Sequence, residues 1–268
     1  MKKRIIIFSI AVVTLSLMAF SFINLNDLAA DGLETKSSRT IASFEKISDS
    51  IYGPYYPDFF LNVGIRFIDF KKGDLDKARS IHDLLPKLKT QRIVSFKSVK
   101  VVILDDKTQT DIRETGNSED LTDAQINLLR MSNYSTNVLI RADYNKKNME
   151  TGKLEDSYSR IFLTIVPEKQ AVYVDGKKAL IEYLKTQSRM ETALVQENQL
   201  RPGKLFFTVT KKGTISNIKL GDTSGNIAID KLMIDLISNT PGIWEPAENS
   251  KGEKVDQTFV FSFGKMGC

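Results

Sequence analysis

The chain has one histidine, His82, and one cysteine, the terminal Cys268. That pair limits the covalent and metal chemistry open to it. A Ser/His/Asp or Cys/His device needs the histidine beside a nucleophile, and no Gly-x-Ser-x-Gly turn or second thiol accompanies His82. A zinc site needs more His or Cys ligands than one histidine supplies. Asp105, Asp106 and Asp111 share a stretch and could offer oxygens to calcium, but the glycine-centred spacing of calcium loops is missing. Gly221-Asp222-Thr223-Ser224-Gly225 precedes a helical pattern, where a phosphate could sit. It lacks the P-loop lysine, and a tight strand-to-helix turn accounts for it. Glycosidase-type carboxylate pairs are defined by separation in space, which sequence spacing does not report. The residues therefore read as non-enzymatic, with no catalytic group, cofactor or metal assigned. An enzyme in the middle of the chain would need carboxylates converging with His82 in a pocket.

The elements that must position any site start after a leader. Lys2, Lys3 and Arg4 precede an apolar run at 5–23 broken only by Ser9, Thr14, Ser16 and Ser21. Leu28-Ala29-Ala30 resembles a small-residue cleavage site, which gives a signal peptide over 1–30 and a mature chain from Asp31. Alternatively the run, close to the ~20 residues that span a bilayer, stays as a membrane anchor. In both readings the rest of the chain leaves the cytoplasm. With one cysteine it has no internal disulfide, so its cores must hold it.

The remaining roughly 240 residues suit two modest α+β domains. Net charge is +5, of which the leader carries three positive residues and, in Asp27, one negative. Charges along the remainder are interspersed, which argues against nucleic acid as a partner. A polar linker covers 31–52, and Tyr52-Gly53-Pro54-Tyr55-Tyr56-Pro57 reads as an entry loop. The first domain, 53–166, has no assigned role. Its pattern predicts a strand over 60–70 and a helix from Gly73-Asp74 to Leu85. A long strand follows over 92–104, with a bulge at Lys97-Ser98. The stretch 105–120 reads as a polar loop. Thr122 and Gln125 form a capping-box pair before a short helix. Strands at 136–144 and 157–166 flank a charged tip and read as a hairpin.

The second domain, 167–268, begins with a short strand at 170–174, a capping Asp175 and a helix over 177–187. Residues 204–210 alternate Leu205, Phe207 and Val209 against Phe206, Thr208 and Thr210, the period of a half-buried strand. Lys211-Lys212-Gly213 turns the chain, and 214–220 returns as a hairpin partner. Ile229, Leu232, Met233, Leu236 and Ile237 fall on one helical face, with Asp230 in the first turn and Pro241-Gly242 as the stop. Residues 256–263 form a last strand carrying Phe259, Phe261 and Phe263 on one face. The order is β-β-α-β. Trp244 reads as an anchor at the helix exit.

Several spaced groups in this region recur together: the run 213–220, Thr223-Ser224-Gly225, Ile229-Asp230, Trp244-Glu245-Pro246-Ala247 and Gly252-Glu253-Lys254-Val255. Upstream, Tyr173-Val174-Asp175-Gly176 is followed by 179–184. Together these resemble the signature of the TonB C-terminal domain family over 167–263, with Gly213, Ser224, Gly225, Asp230, Trp244 and Pro246 as its structural motif. The resemblance implies a ββαβ antiparallel sheet packed with helices, in the periplasm of a Gram-negative cell envelope.

The family's role implies binding of an outer-membrane or periplasmic peptide by strand pairing, at a terminal strand that here contains Gln257, Thr258, Phe259, Val260 and Phe261. Two features depart from a TonB-type energy transducer of outer-membrane transport. The leader lacks the histidine that couples to the ExbB/ExbD motor, and no proline-rich spacer follows it. The resemblance therefore implies a soluble or tethered protein-binding module, with an anchored transducer as the alternative. Oligomeric state is not legible.

Overall fold

Two stretches of β-branched and aromatic residues, one in each half of the chain, each build a sheet. The computed structural model describes residues 59–90, 92–195 and 199–266. The leader, the linker, the loop 52–57 and Cys268 lie outside these residues, and no helix among the described residues is long and apolar enough to cross a membrane. The described residues fall within one compact unit. The chain is mixed α+β, with mostly antiparallel sheets and five α-helices among the described residues.

The first half contributes strands β1 (Phe60–Gly64) and β2 (Ile68–Lys71), then helices α1 (Lys72–Lys77) and α2 (Ile81–Leu84) and a 3₁₀ turn at Pro86–Thr90. Strands β3 (Ile93–Asp105) and β4 (Thr108–Gly116), helix α3 (Asp123–Met131) and strands β5 (Asn137–Lys147) and β6 (Leu154–Val166) complete it. The order β2-β6-β5-β3-β4 makes a five-stranded sheet in which only β2 runs parallel to its neighbour. On one face, Val99, Val101, Val138, Ile140, Ala142, Leu163 and Ile165 pack under α1, α2 and α3 as an aliphatic core.

The second half contributes β7 (Val172–Tyr173), α4 (Gly176–Ala193), β8 (Pro202–Val209), β9 (Ile215–Asp222) and α5 (Ile227–Ser238). Three two-residue strands follow, β10 (Trp244–Glu245), β11 (Ala247–Glu248) and β12 (Lys254–Val255), before the long β13 (Gln257–Gly264). The four-stranded sheet runs β1-β13-β8-β9, antiparallel throughout, and β7 pairs with β10 beside it. Leu205, Phe207 and Val209 meet Phe259, Phe261 and Phe263 on its inner face, covered by Leu180 and Leu184 of α4 and Ile229, Met233 and Ile237 of α5.

Several sequence expectations are corrected. The strand expected over 60–70 is two strands in different sheets. The chain leaves one sheet at Gly64 and enters the other at Ile68, and β1 packs with the C-terminal core, where Phe59 and Val63 are buried. The expected boundary at 166/167 therefore does not separate the cores, because residues 59–64 belong with the second. The helix expected from 73 to 85 breaks in two at Ser80. There Asp83 Oδ2 accepts from the backbone N–H of Arg79 and Ser80, which starts a fresh helix turn. The expected loop 105–120 contains β4, hidden by its run of charges because it is an edge strand facing water. Helix α4 runs six residues past its expected end to Ala193, and Asp175 makes no side-chain cap bond. The bulge at Lys97-Ser98 is present as a register shift between Phe96 and Ser98, and Thr122 and Gln125 form the reciprocal capping box.

Candidate functional site

An apolar recess is lined by residues of both sheets. Its volume is about 500 Å³, and Val63, Gly64 and Ile65 form one wall, Ala171, Val172 and Tyr173 another. Gly176, Lys177 and Leu180 of α4 close one end, with Asp69 and Gln170 as polar lining and Trp244 and Phe259 as an aromatic wall. Burial of flat rings explains how the wall is built. Trp244 sits with its ring centroid 5.5 Å from Tyr173, 5.9 Å from Phe207 and 5.6 Å from Phe259 in tilted and edge contacts. Such offset geometry is favoured by the ring quadrupoles. The Trp244 indole N–H has no acceptor among the described residues, although it is buried. Tyr173 donates to the carbonyl of Pro241 at 2.5 Å, which fixes its ring.

Two glycines, Gly64 and Gly176, line the recess. A Cβ added at Gly64 or at Gly176 would meet no heavy atom within 4 Å. Gly176 also has φ +86°, so a side chain there is strained whatever the space, whereas Gly64 carries no such restriction. At the recess floor, Gln257 Oε1 accepts from Ala171 N at 2.7 Å, and its Nε2 donates to Gln170 Oε1 at 3.0 Å. β1 is an outer strand of its sheet, and among the described residues no strand pairs its far side.

Of the five residues expected to present a binding edge, Val260 and Phe261 are paired on both sides. β13 is held on one side by β8, from Gln257↔Val209 to Gly264↔Pro202, and on the other by β1, from Val260↔Gly64 to Gly264↔Phe60. Beyond β1, Thr258 N–H donates to Ser135 Oγ at 2.8 Å. Gln257, Phe259, Val260 and Phe261 are buried. The expectation of a free edge at β13 is therefore corrected over Val260 and Phe261, where a strand far away in sequence, β1, fills the position. Nothing in the local alternation of 256–263 could reveal that, since alternation reports faces and not neighbours.

The six motif residues form two structural clusters. Gly213 turns with φ +76°, and a Cβ there would lie 2.3 Å from the Trp244 carbonyl oxygen and 3.8 Å from Pro246 Cδ. The hairpin turn thus packs directly on the Trp244–Pro246 backbone, which explains why these residues occur as a set. Asp230 is the centre of the other cluster. Its carboxylate accepts from Ser224 N at 2.8 Å, from Ser224 Oγ at 2.7 Å and from Thr223 Oγ1. Gly225 takes φ +86° to make the bend. The donors that a phosphate would need are spent on Asp230, so this turn locks the β9–α5 connection.

A charged cluster joins the sheets. Lys204 on β8, with 7% of its side chain exposed, donates to Asp106 Oδ2 at 2.5 Å and pairs with Asp222 at 2.9 Å. Arg66, between β1 and β2, pairs with Asp106 from the other side. Burial disfavours the charged form of Asp106, but the hydrogen bonds from Lys204 and Arg66 outweigh it and hold the carboxyl below its ordinary value. Asp106 is thus an ion-pair residue and Asp111 bonds Arg113 at 2.7 Å. Among the described residues no three His, Cys, Asp or Glu side chains are grouped to hold a metal.

His82 lines a second cavity of about 570 Å³ with Glu119, Lys89, Ser95 and Phe96. One carboxylate does meet the histidine: Nε2 lies 3.5 Å from Glu119 Oε2. The ring packs edge-on to Phe96 at 6.2 Å, and its buried Nδ1 has no hydrogen-bond partner. A general base would use that free nitrogen, and its burial keeps it from a substrate in the cavity. The residues that reading the sequence missed are Gly64, Arg66 and Lys204. An isolated glycine within a strand pattern was the available signal for Gly64. The chain matches no family model, no curated protein and no solved structure.

Proposed function

We propose that this chain is a non-enzymatic binding protein of the cell envelope, exported to the periplasm, whose TonB-C-like C-terminal region recognises an extended peptide of an outer-membrane or periplasmic partner. The observation that carries this reading is the aromatic recess beside the outer strand β1. Its ~500 Å³ is in the range of sites that seat a single ligand group. A peptide laid along the far side of β1 gains main-chain hydrogen bonds, and one apolar side chain enters the recess against Tyr173, Trp244 and Phe259. Strand pairing is thus assigned to β1 and not to β13. His82 is given a packing role beside Phe96.

The test uses random displayed peptides selected on the full-length protein and re-tested on Ile65→Lys. Ile65 lines the recess, is half-buried and belongs to neither large apolar core, so a lysine there sets a charge against the apolar anchor without opening a core. Selected peptides should share an aromatic or branched apolar anchor and bind Ile65→Lys at least about tenfold more weakly at little-changed Tm. Peptides that bind both proteins equally would overturn the assignment. The alternative, a membrane-anchored energy transducer, rests on an uncleaved run at 5–23, which lies outside the described residues. Cell fractionation that recovers a soluble species beginning near Asp31 excludes it.

A further inference from the structure

The face of the five-stranded sheet turned away from α1–α3 carries a row of like charges. Register sets Lys100 of β3 opposite Arg141 of β5, and Arg141 opposite Arg160 of β6. Neighbouring strands are ~4.8 Å apart, so three cations stand side by side across the sheet. Directly opposed like charges destabilise a sheet, and a fold under no other demand would break such a row with an acid. Arg141 is balanced by Asp143 at 2.7 Å, whose charge also acts on Lys100, while neither Lys100 nor Arg160 forms an ion pair among the described residues. Burial does not explain the row either, since Lys100 and Arg160 are exposed.

The cations come with aromatic rings. The Arg141 guanidinium lies 5.0 Å from the Tyr158 ring centroid and that of Arg160 lies 5.9 Å from Phe162. Tyr158 is 56% exposed, so its ring remains open to a ligand. Guanidinium groups set beside rings are positioned to meet planar carboxylates, and an exposed tyrosine offers a face for the C–H side of a sugar ring.

We infer that this sheet face binds a linear anionic glycan, with Lys100, Arg141 and Arg160 pairing its acidic groups and Tyr158 stacking on a sugar. A nucleic acid fits less well, because its affinity rests on neutralising many closely spaced phosphates, whereas this face offers a short row of three cations. The site is separate from the recess beside β1, and neither depends on the other.

The experiment measures binding of polygalacturonate to the full-length protein by calorimetry at low and at physiological salt, with neutral dextran, poly-glutamate and poly(dT) in parallel. Polygalacturonate should bind, more weakly as salt rises, and dextran should not. Lys100→Glu with Arg160→Glu should weaken polygalacturonate at least about tenfold. Arg160→Lys keeps the charge without the planar fork, so it should weaken binding by less than the reversed pair. The reversed pair removes like-charge repulsion, so its Tm should be unchanged or raised, and Arg160→Gln serves as a second variant should the reversal unfold the sheet. Tyr158→Ala should weaken polygalacturonate and leave poly-glutamate unaffected. Absence of polygalacturonate binding at low salt, insensitivity to the charge reversals, or equal or tighter binding of poly-glutamate or poly(dT) would each overturn the inference.

Discussion

The two sheets solve the same packing problem with different side chains. The four-stranded sheet closes its inner face with Phe207, Phe259, Phe261, Phe263 and Trp244, rings that interlock at 5–6 Å spacing. The five-stranded sheet uses Val, Ile and Leu under three short helices, with Tyr144 and Phe96 only at one end. An aromatic core concentrates its energy in few residues, while an aliphatic one spreads it over many. Between them run polar contacts, Lys204 and Arg66 on Asp106 and Thr258 on Ser135. Two cores joined by a few charged bonds can unfold together or apart, depending on how much those bonds are worth.

The largest effect should come from the aromatic side. Phe207 is fully buried and contacts both Trp244 and Phe259, so Phe207→Ala should cost about 3–5 kcal/mol. Trp244 is the only tryptophan, and its fluorescence reports on this core alone. In urea, far-UV circular dichroism follows both sheets. If the halves are one cooperative unit, the two signals shift together in Phe207→Ala. A tryptophan transition that moves while half of the dichroism signal stays would break the comparison into two independent domains.

Next in size is the joint itself. Lys204→Met keeps the aliphatic stem but leaves Asp106 and Asp222 without their shared cation. Removing one partner of a fully buried pair costs about 3–5 kcal/mol; Asp106 and Asp222 keep 22% and 42% exposure, so roughly 2 kcal/mol is expected here. The same variant should pull the tryptophan and dichroism transitions apart, because it acts on the link and on neither core. Coincident transitions in Lys204→Met would show that the apolar surface between the sheets carries the coupling.

Much of the aromatic half was legible in sequence because its signals are local. Alternation at 204–210, the turn at Gly213, the apolar stripe of α5 and the three phenylalanines of β13 each lie within one element. What escaped was long-range pairing. β1 reads as the start of a strand over 60–70, and only the closed sheet reveals that residues 60–64 join β13, some two hundred positions away. β4 was missed for a different physical reason. Thr-Gln-Thr-Asp-Ile-Arg-Glu-Thr-Gly is what a guarded edge looks like, and guarding removes the apolar period that identifies strands. The recess shares both problems, since its walls come from 63–65, 171–180, Trp244 and Phe259.

Acid should act on the joint before it reaches either core. The Asp106 carboxyl is held below its ordinary value in the folded chain, so it releases its proton more readily there than in the unfolded chain. Its contribution is fully present above the ordinary carboxylate value and is lost as pH falls through the depressed folded value. The stability of the wild type measured by urea should therefore decline on that side of the ordinary value, and Asp106→Asn should flatten part of the decline. An unchanged pH profile in Asp106→Asn would assign the acid sensitivity to other carboxylates, Asp143 foremost, whose hydrogen bonds from Arg141 hold it down in the same direction.

The smallest effects compare the helix caps of the two halves. Thr122 begins α3 by accepting from Gln125 N at 3.2 Å, and Gln125 Oε1 accepts in return from Thr122 N at 2.9 Å. Asn226 begins α5 alone, its Oδ1 accepting from Ala228 N at 3.0 Å and Ile229 N at 3.3 Å. Replacing a capping residue by alanine costs about 1 kcal/mol in general. In Thr122→Ala, Gln125 stays in place, since its Nε2 also donates to Val99 O at 2.8 Å inside the aliphatic core. One helix N–H loses its acceptor and the reverse bond survives, so the loss should fall at or below about 1 kcal/mol. Asn226→Ala removes the acceptor of two N–H groups with nothing in reserve, and should cost more, up to about 2 kcal/mol. Chemical denaturation of both variants ranks them directly. The reverse ranking would mean that Thr122 also positions Gln125 against β3, which would make this cap part of the aliphatic core and not only a helix end.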